Sequence, residues 1–248
     1  MKKVVLGMVS AAVFAATASA DFVRTEMGVG TWIGTSSGKI VGEKYGFEGV
    51  DTSVEESETN LYAWAMMKHF VPVVPNLRVE YVDITSTGEA TGTLSGVSIP
   101  GSTATKLKMK QLDVVPYYTI LDNTAWITLD LGIDFKIIDA TYTVDGFAGS
   151  NGYKTTETLV IPLGYVRGRM QVPGTNFGAE ADVKYIAYDH NTVYDIRAKV
   201  DYTFDITPVI QPAIEVGYRM QKYQTDKTSD ISLDLDFSGV YAGVMLRF

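Results

Sequence analysis

The sequence predicts an all-β chain closed into an antiparallel transmembrane barrel of about ten strands. Apolar residues recur at every second position over ten separate segments, the period of a strand with two unlike faces. The connections between those segments alternate between tight and long, as in a meander with one short-turn end and one long-loop end. Beyond the first twenty residues, no apolar run reaches the ~20 residues that a spanning helix needs. In lipid, such a chain satisfies its backbone polar groups only by closing strand on strand.

The elements follow in order. Lys2 and Lys3 precede an apolar run, and Ala18-Ser19-Ala20 is a small-x-small cleavage signal, so residues 1–20 read as a secretory signal peptide and residues 21–248 as the barrel domain. The candidate strands are 22–35, 59–70, 77–85, 106–120, 126–144, 154–170, 177–188, 192–204, 213–223 and 231–248. The tight connections 71–76, 121–125, 171–176 and 205–212 include three with prolines, which fix φ where no ladder donor is required. Between them the longer segments 36–58, 86–105 and 145–153, and the shorter 189–191 and 224–229, are polar and read as loops at the other end of the barrel.

The content of the faces says which one meets lipid. In 192–204, Tyr194, Ile196, Ala198, Val200, Tyr202 and Phe204 oppose Asp195, Arg197, Lys199, Asp201 and Thr203. In 177–188, Phe177, Ala179, Ala181, Val183 and Tyr185 oppose Glu180, Asp182 and Lys184. In 126–144, Ile127, Leu129, Leu131, Ile133 and Phe135 oppose Thr128, Asp130, Asp134 and Lys136. Apolar faces that end in aromatics suit a lipid band meeting headgroups. This orientation predicts that Asp at Ala198 disturbs insertion and that Ala at Lys199 does not. The segment 59–70 leaves its orientation open, because Trp64 and Met66 face away from Ala63, Ala65 and Met67.

Inward candidates are then Arg24, Arg78, Lys184, Arg197, Lys199 and Arg219 against Glu26, Glu80, Asp113, Asp130, Asp134, Glu180, Asp182, Asp195, Asp201 and Glu215. Their core, Glu180, Asp182, Lys184, Asp195, Arg197, Lys199, Asp201, Glu215 and Arg219, forms a lumen charge network with an acidic excess. It serves either as a structural plug or as a narrow cation-preferring path.

Composition limits the remaining classes. Without Lys2 and Lys3 the chain holds 19 basic and 29 acidic residues, which argues against nucleic acid as a partner. There is no cysteine, so disulfides, thiolate metal sites and a cysteine nucleophile are excluded. No cofactor motif and no metal-ligand spacing is present. The acidic segment with Glu43, Glu48, Asp51, Glu55, Glu56 and Glu58 matches no calcium loop and reads as solvated. The two histidines, His69 and His190, fall at opposite ends of the expected barrel and cannot act together. An enzymatic alternative, hydrolysis of lipid or peptide at the extracellular rim, rests on Asp189-His190-Asn191, which resembles the acidic and imidazole groups of omptin-type proteases without the other motifs of that family.

The last stretch sets Val240, Ala242, Val244, Leu246 and Phe248 on one face and ends on that aromatic residue. The leader, the ten alternating segments and this terminus resemble the small outer-membrane β-barrel proteins of Gram-negative bacteria, in the OmpA-like and OmpW-like grouping, and an uncharacterised epsilonproteobacterial barrel family. The resemblance implies export and residence in the outer membrane, with periplasmic turns and extracellular loops. It implies outer-membrane lipids and lipopolysaccharide as partners, and a barrel-assembly machinery that reads the strand ending in Phe248. It implies no activity.

Overall fold

A computed structural model describes residues 23–42, 47–53, 58–71, 73–94, 97–146, 152–189, 191–207, 209–225 and 232–248. The leader, His190 and the acidic positions 43, 55 and 56 lie outside the described residues. Eleven strands are present: β1 (Val23–Gly42), β2 (Phe47–Ser53), β3 (Glu58–His69), β4 (Asn76–Leu94), β5 (Val97–Thr124), β6 (Ile127–Val144), β7 (Tyr153–Gln171), β8 (Phe177–Tyr188), β9 (Asn191–Thr203), β10 (Gln211–Gln224) and β11 (Ser232–Arg247). All neighbours are antiparallel, and β11 pairs with β1 to close the sheet.

The wall is ten strands around, because β2 and β3 share one place in it. Below Gly34 the neighbour of β1 is β3; above Ser37 it is β2, which also pairs with the upper part of β4. The segments 36–58 and 86–105, expected as loops, are therefore largely strand: β1 and β2 form a tall hairpin, and β4 and β5 pair up to Leu94↔Val97. Ser, Thr and Gly on both faces erased the period-2 signal there, while the backbone ladder needs no apolar face to form. The rim is uneven. β6 and β7 pair up to Val144↔Tyr153, whereas β7 and β8 pair only up to Gly164↔Tyr185, so the β8–β9 hairpin stands low beside a tall wall.

The outer face carries an exposed apolar band. Val29, Ile33, Leu61, Leu131, Ile133, Val166, Val200, Val216, Val240 and Val244 are exposed on it, the distribution expected of a surface solvated by hydrocarbon. On four adjacent strands the band stops at one registered row, Tyr81↔Leu112↔Ile137↔Val160. The next outward row is Asp83↔Lys110↔Asp139↔Thr158. Strand alternation forces Trp64, Met66 and Tyr62 of β3 inward and leaves Leu61 and Met67 outside, which settles the open orientation.

The interior has two layers. Between the turns and mid-barrel it is charged. Above that, Ile84, Leu107, Met109, Ile138, Tyr142, Val193, Tyr223, Leu235 and Phe237 form a hydrophobic cap inside the extracellular half. Gln111 and Gln221 exchange amide hydrogen bonds of 3.1 and 2.9 Å where the layers meet.

Candidate lumen network

β8, β9 and β10 are neighbours with tight registers, so alternation alone stacks their inward charges in rungs: Glu180↔Lys199, Asp182↔Arg197, Lys184↔Asp195 on one side and Glu215↔Asp201, Arg219↔Arg197 on the other. All nine predicted residues are buried inside the barrel. The opposite wall completes the pairs.

At the centre, the guanidinium of Arg219 grips Asp195 through Nε at 2.9 Å and Nη2 at 2.6 Å and also reaches Glu80 at 2.6 Å. The ammonium of Lys136 bridges Asp113 at 2.8 Å and Asp195 at 3.0 Å, and Lys184 donates to the same Asp113. Carboxylate oxygens of Glu80, Asp113 and Asp195 converge within 4.8 Å of one another, the spacing of a cation site. Lys136, Lys184 and Arg219 already neutralise them, so the donor set does not call for a metal.

Toward the turns, Arg167 joins Asp130 at 2.5 Å to Glu180 at 2.6 Å, and Arg169 holds Asp201 at 2.6 Å. Arg197 donates twice to Asp182, at 2.9 and 2.7 Å. Arg247 crosses the closing seam to Glu26 at 3.4 Å and pairs with Asp201 at 2.8 Å.

Aromatic side chains complete the packing. Glu215 accepts from the Tyr62 hydroxyl at 2.7 Å, the Trp64 indole at 3.1 Å and the Lys199 ammonium at 2.8 Å. Arg78 and Lys199 lie over the Trp64 ring at 4.9 and 4.6 Å from its centroid, favourable cation–π placements. Trp64 can lie against the wall because Gly28 is beneath it; a Cβ there would come within 2.6 Å of the indole nitrogen.

Among the described residues, ten acids and nine bases are buried, so the expected acidic excess shrinks to a single charge. Lys136 had been read as inward but left out of the count; Arg167, Arg169 and Arg247 had not been recognised as inward. Their signal was the same alternation, since Val166 and Met170 point outward on either side of Arg167 and Arg169. Arg24, expected inside, is 54% exposed at the barrel mouth, where it pairs with Glu26 at 2.9 Å. Asp134 is the odd acid, with neither oxygen hydrogen-bonded and no cation within ion-pair distance among the described residues.

The charges are closed to water. Of the nineteen, none exceeds 7% exposure, and Arg78, Asp134 and Lys136 stand at 0%. Side chains lining a water-filled channel would present surface to it. The arrangement can hold the wall rigid and exclude solvent from the charged side chains among the described residues.

Two other candidates have ordinary structural places. His69 accepts the Val71 amide at Nδ1 (3.2 Å), so Nε2 carries the proton and donates to the Pro75 carbonyl at 3.1 Å; it ties a tight turn together. Asp189 occupies the low β8–β9 turn with φ 45°, far from the buried charges. Phe248 secures the end of the seam through its backbone, donating to Thr25 O at 2.9 Å.

No protein-family model matches the sequence, and no curated protein matches it. Solved structures do. The outer-membrane protease OmpT of Escherichia coli is similar with a TM-score of 0.54 at 11% identity, over 93% of this chain and 98% of that one. The fold is that of an outer-membrane β-barrel. The translocator domain of the autotransporter NalP from Neisseria meningitidis is similar with a TM-score of 0.47 at 11% identity, over 100% and 96% of the two chains. Neisserial surface protein A follows with 0.33 at 13% identity, over 92% and 97%.

Proposed function

We propose that this protein is a structural, non-enzymatic barrel of the Gram-negative outer membrane, a closed anchor that carries a tall β-wall on the cell surface. In this reading residues 1–20 direct export and are removed, and Phe248 marks the last strand for the assembly machinery. The grouping with OmpA-like and OmpW-like small barrels belongs to the same proposal. The observation that carries it is the burial of all nineteen lumen charges beneath an apolar cap. A conducting barrel needs a continuous hydrated path. Here the charged layer is dry, and the layer above it is filled by Leu107, Ile138, Tyr223 and Phe237.

The protein named as a protease among the similar folds shares the barrel at 11% identity, and a shared fold does not carry an activity with it. The test is conductance of the refolded barrel across a planar bilayer. A silent bilayer with protein present in folded form is the expected result; discrete cation-selective openings would overturn the plug and make the lumen a pore.

A further inference from the structure

We propose that the outer face of β5 above the lipid band, built around Lys106 and Lys108 with Lys154 of β7, binds the anionic sugar headgroup of lipopolysaccharide. This rests on the outer-membrane reading above. Lys106, Lys108 and Lys110 occupy alternate positions on β5 and so project from one face, pointing out of the barrel. They begin in the row directly above Leu112, where the apolar band ends. With a rise of ~3.3 Å per residue and a tilt of ~40°, Lys108 and Lys106 stand on the order of 10 and 15 Å above that edge. That is the level of lipid headgroups and the sugars attached to them.

The three lysines differ in their neighbours. Lys110 has a carboxylate residue beside it on each flanking strand, Asp83 and Asp139. Lys108 lies between Thr85 and Thr141, and Lys106 between Thr87 and Thr143. Both are exposed and stand in no ion pair among the described residues. Lys222, also outward above the band, by contrast pairs with Asp234 at 3.2 Å and Asp236 at 3.1 Å.

Lys106, Lys108 and Lys154 border a shared recess of about 330 Å³, with Asp145 as its one acid. Thr87, Gly88, Ala104, Thr105, Thr141 and Thr143 line the rest of it. Three ammonium groups beside hydroxyl donors suit phosphorylated and carboxylated sugars, and the apolar band below suits the acyl chains of the same molecule. A ligand with both parts explains a cationic recess set on a lipid edge; a free anion would use only the upper half.

The experiment titrates purified lipopolysaccharide onto the refolded full-length barrel in neutral detergent micelles and reads affinity for the native protein, K106A/K108A and K222A. Unheated gel mobility shows that each variant is folded, which exposed positions favour. Expected is saturable binding that weakens on the order of tenfold or more in K106A/K108A and stays unchanged in K222A. K108E serves as a second variant and should weaken binding further.

Phosphatase-treated lipopolysaccharide should bind less, and inorganic phosphate at millimolar levels should not compete. Equal binding by the native protein and K106A/K108A overturns the site, as does full displacement by inorganic phosphate, which would make the recess a simple anion pocket. Because binding is read in micelles, a negative result leaves the anchor reading intact, whose own test is conductance.

Discussion

At the scale of single residues, the lumen shows how costly charges become tolerable. Moving a carboxylate or an ammonium out of water costs several kcal/mol, and only close partners offset it. Asp195 has Arg219, Lys136 and Lys184, whereas Asp134 has none. The two acids should therefore respond oppositely to the same neutralising change. Asp195→Asn should cost about 3–5 kcal/mol, because it strands buried cations. Asp134→Asn should leave stability unchanged or raise it; urea unfolding in vesicles measures both.

Lys199 shows what reasoning from faces alone leaves out. Alternation places it inward, so that Ala there is expected not to disturb insertion, and says nothing of its partners. The ammonium is in fact shared by Glu215 and Glu180, at 2.8 and 3.5 Å, so Lys199→Ala leaves two buried carboxylates short of a partner. A loss of about 3 kcal/mol is expected in the same urea measurement, with partial recovery when Glu215→Gln is added.

At the scale of elements, each strand carries two messages, and their legibility differs. The outward message was plain: β8 spans Phe177–Tyr188 as its aromatic-ended apolar face indicated, and β6 and β9 fall within a residue or two of the expected limits. The inward message names the side chains and not their partners, since partners lie across the barrel. Lys136 to Asp195 spans 59 residues and Trp64 to Glu215 spans 151, separations that no local pattern encodes. Trp64 reads ambiguously for a related reason: the room for its ring inside the wall comes from Gly28 of β1, a different strand.

The upper extensions of β1, β4 and β5 were invisible because they lie beyond the lipid, where nothing selects one apolar face. Depth thus divides each strand, and substitutions should report it. Ala198→Arg, in the apolar band, should cost about 2–4 kcal/mol of membrane stability. Thr141→Arg faces outward too, but above the last apolar row, and should cost about 0–1 kcal/mol.

At the scale of the whole molecule, the two interior layers make the barrel a solid body rather than a tube. The three tryptophans are placed to report this. Trp32 and Trp64 are 1% and 2% exposed within the lumen, whereas Trp126 is 55% exposed at the β5–β6 turn. Acrylamide added to the folded protein should quench Trp126 and leave the other two nearly untouched. Single-tryptophan variants separate the contributions, and efficient quenching of Trp64 would mean that solute enters the charged layer.

The seam between β1 and β11 sets the order of events during synthesis. Glu26 and Arg247 are 221 residues apart and face each other across it, so the wall cannot close until β11 has been made. Until then every partial chain has two raw edges and a row of charges lacking its far wall. A product that stops before Arg247 keeps those defects permanently. The closing strand therefore works as a completeness check, because stability arrives nearly all at once and only for a full-length chain.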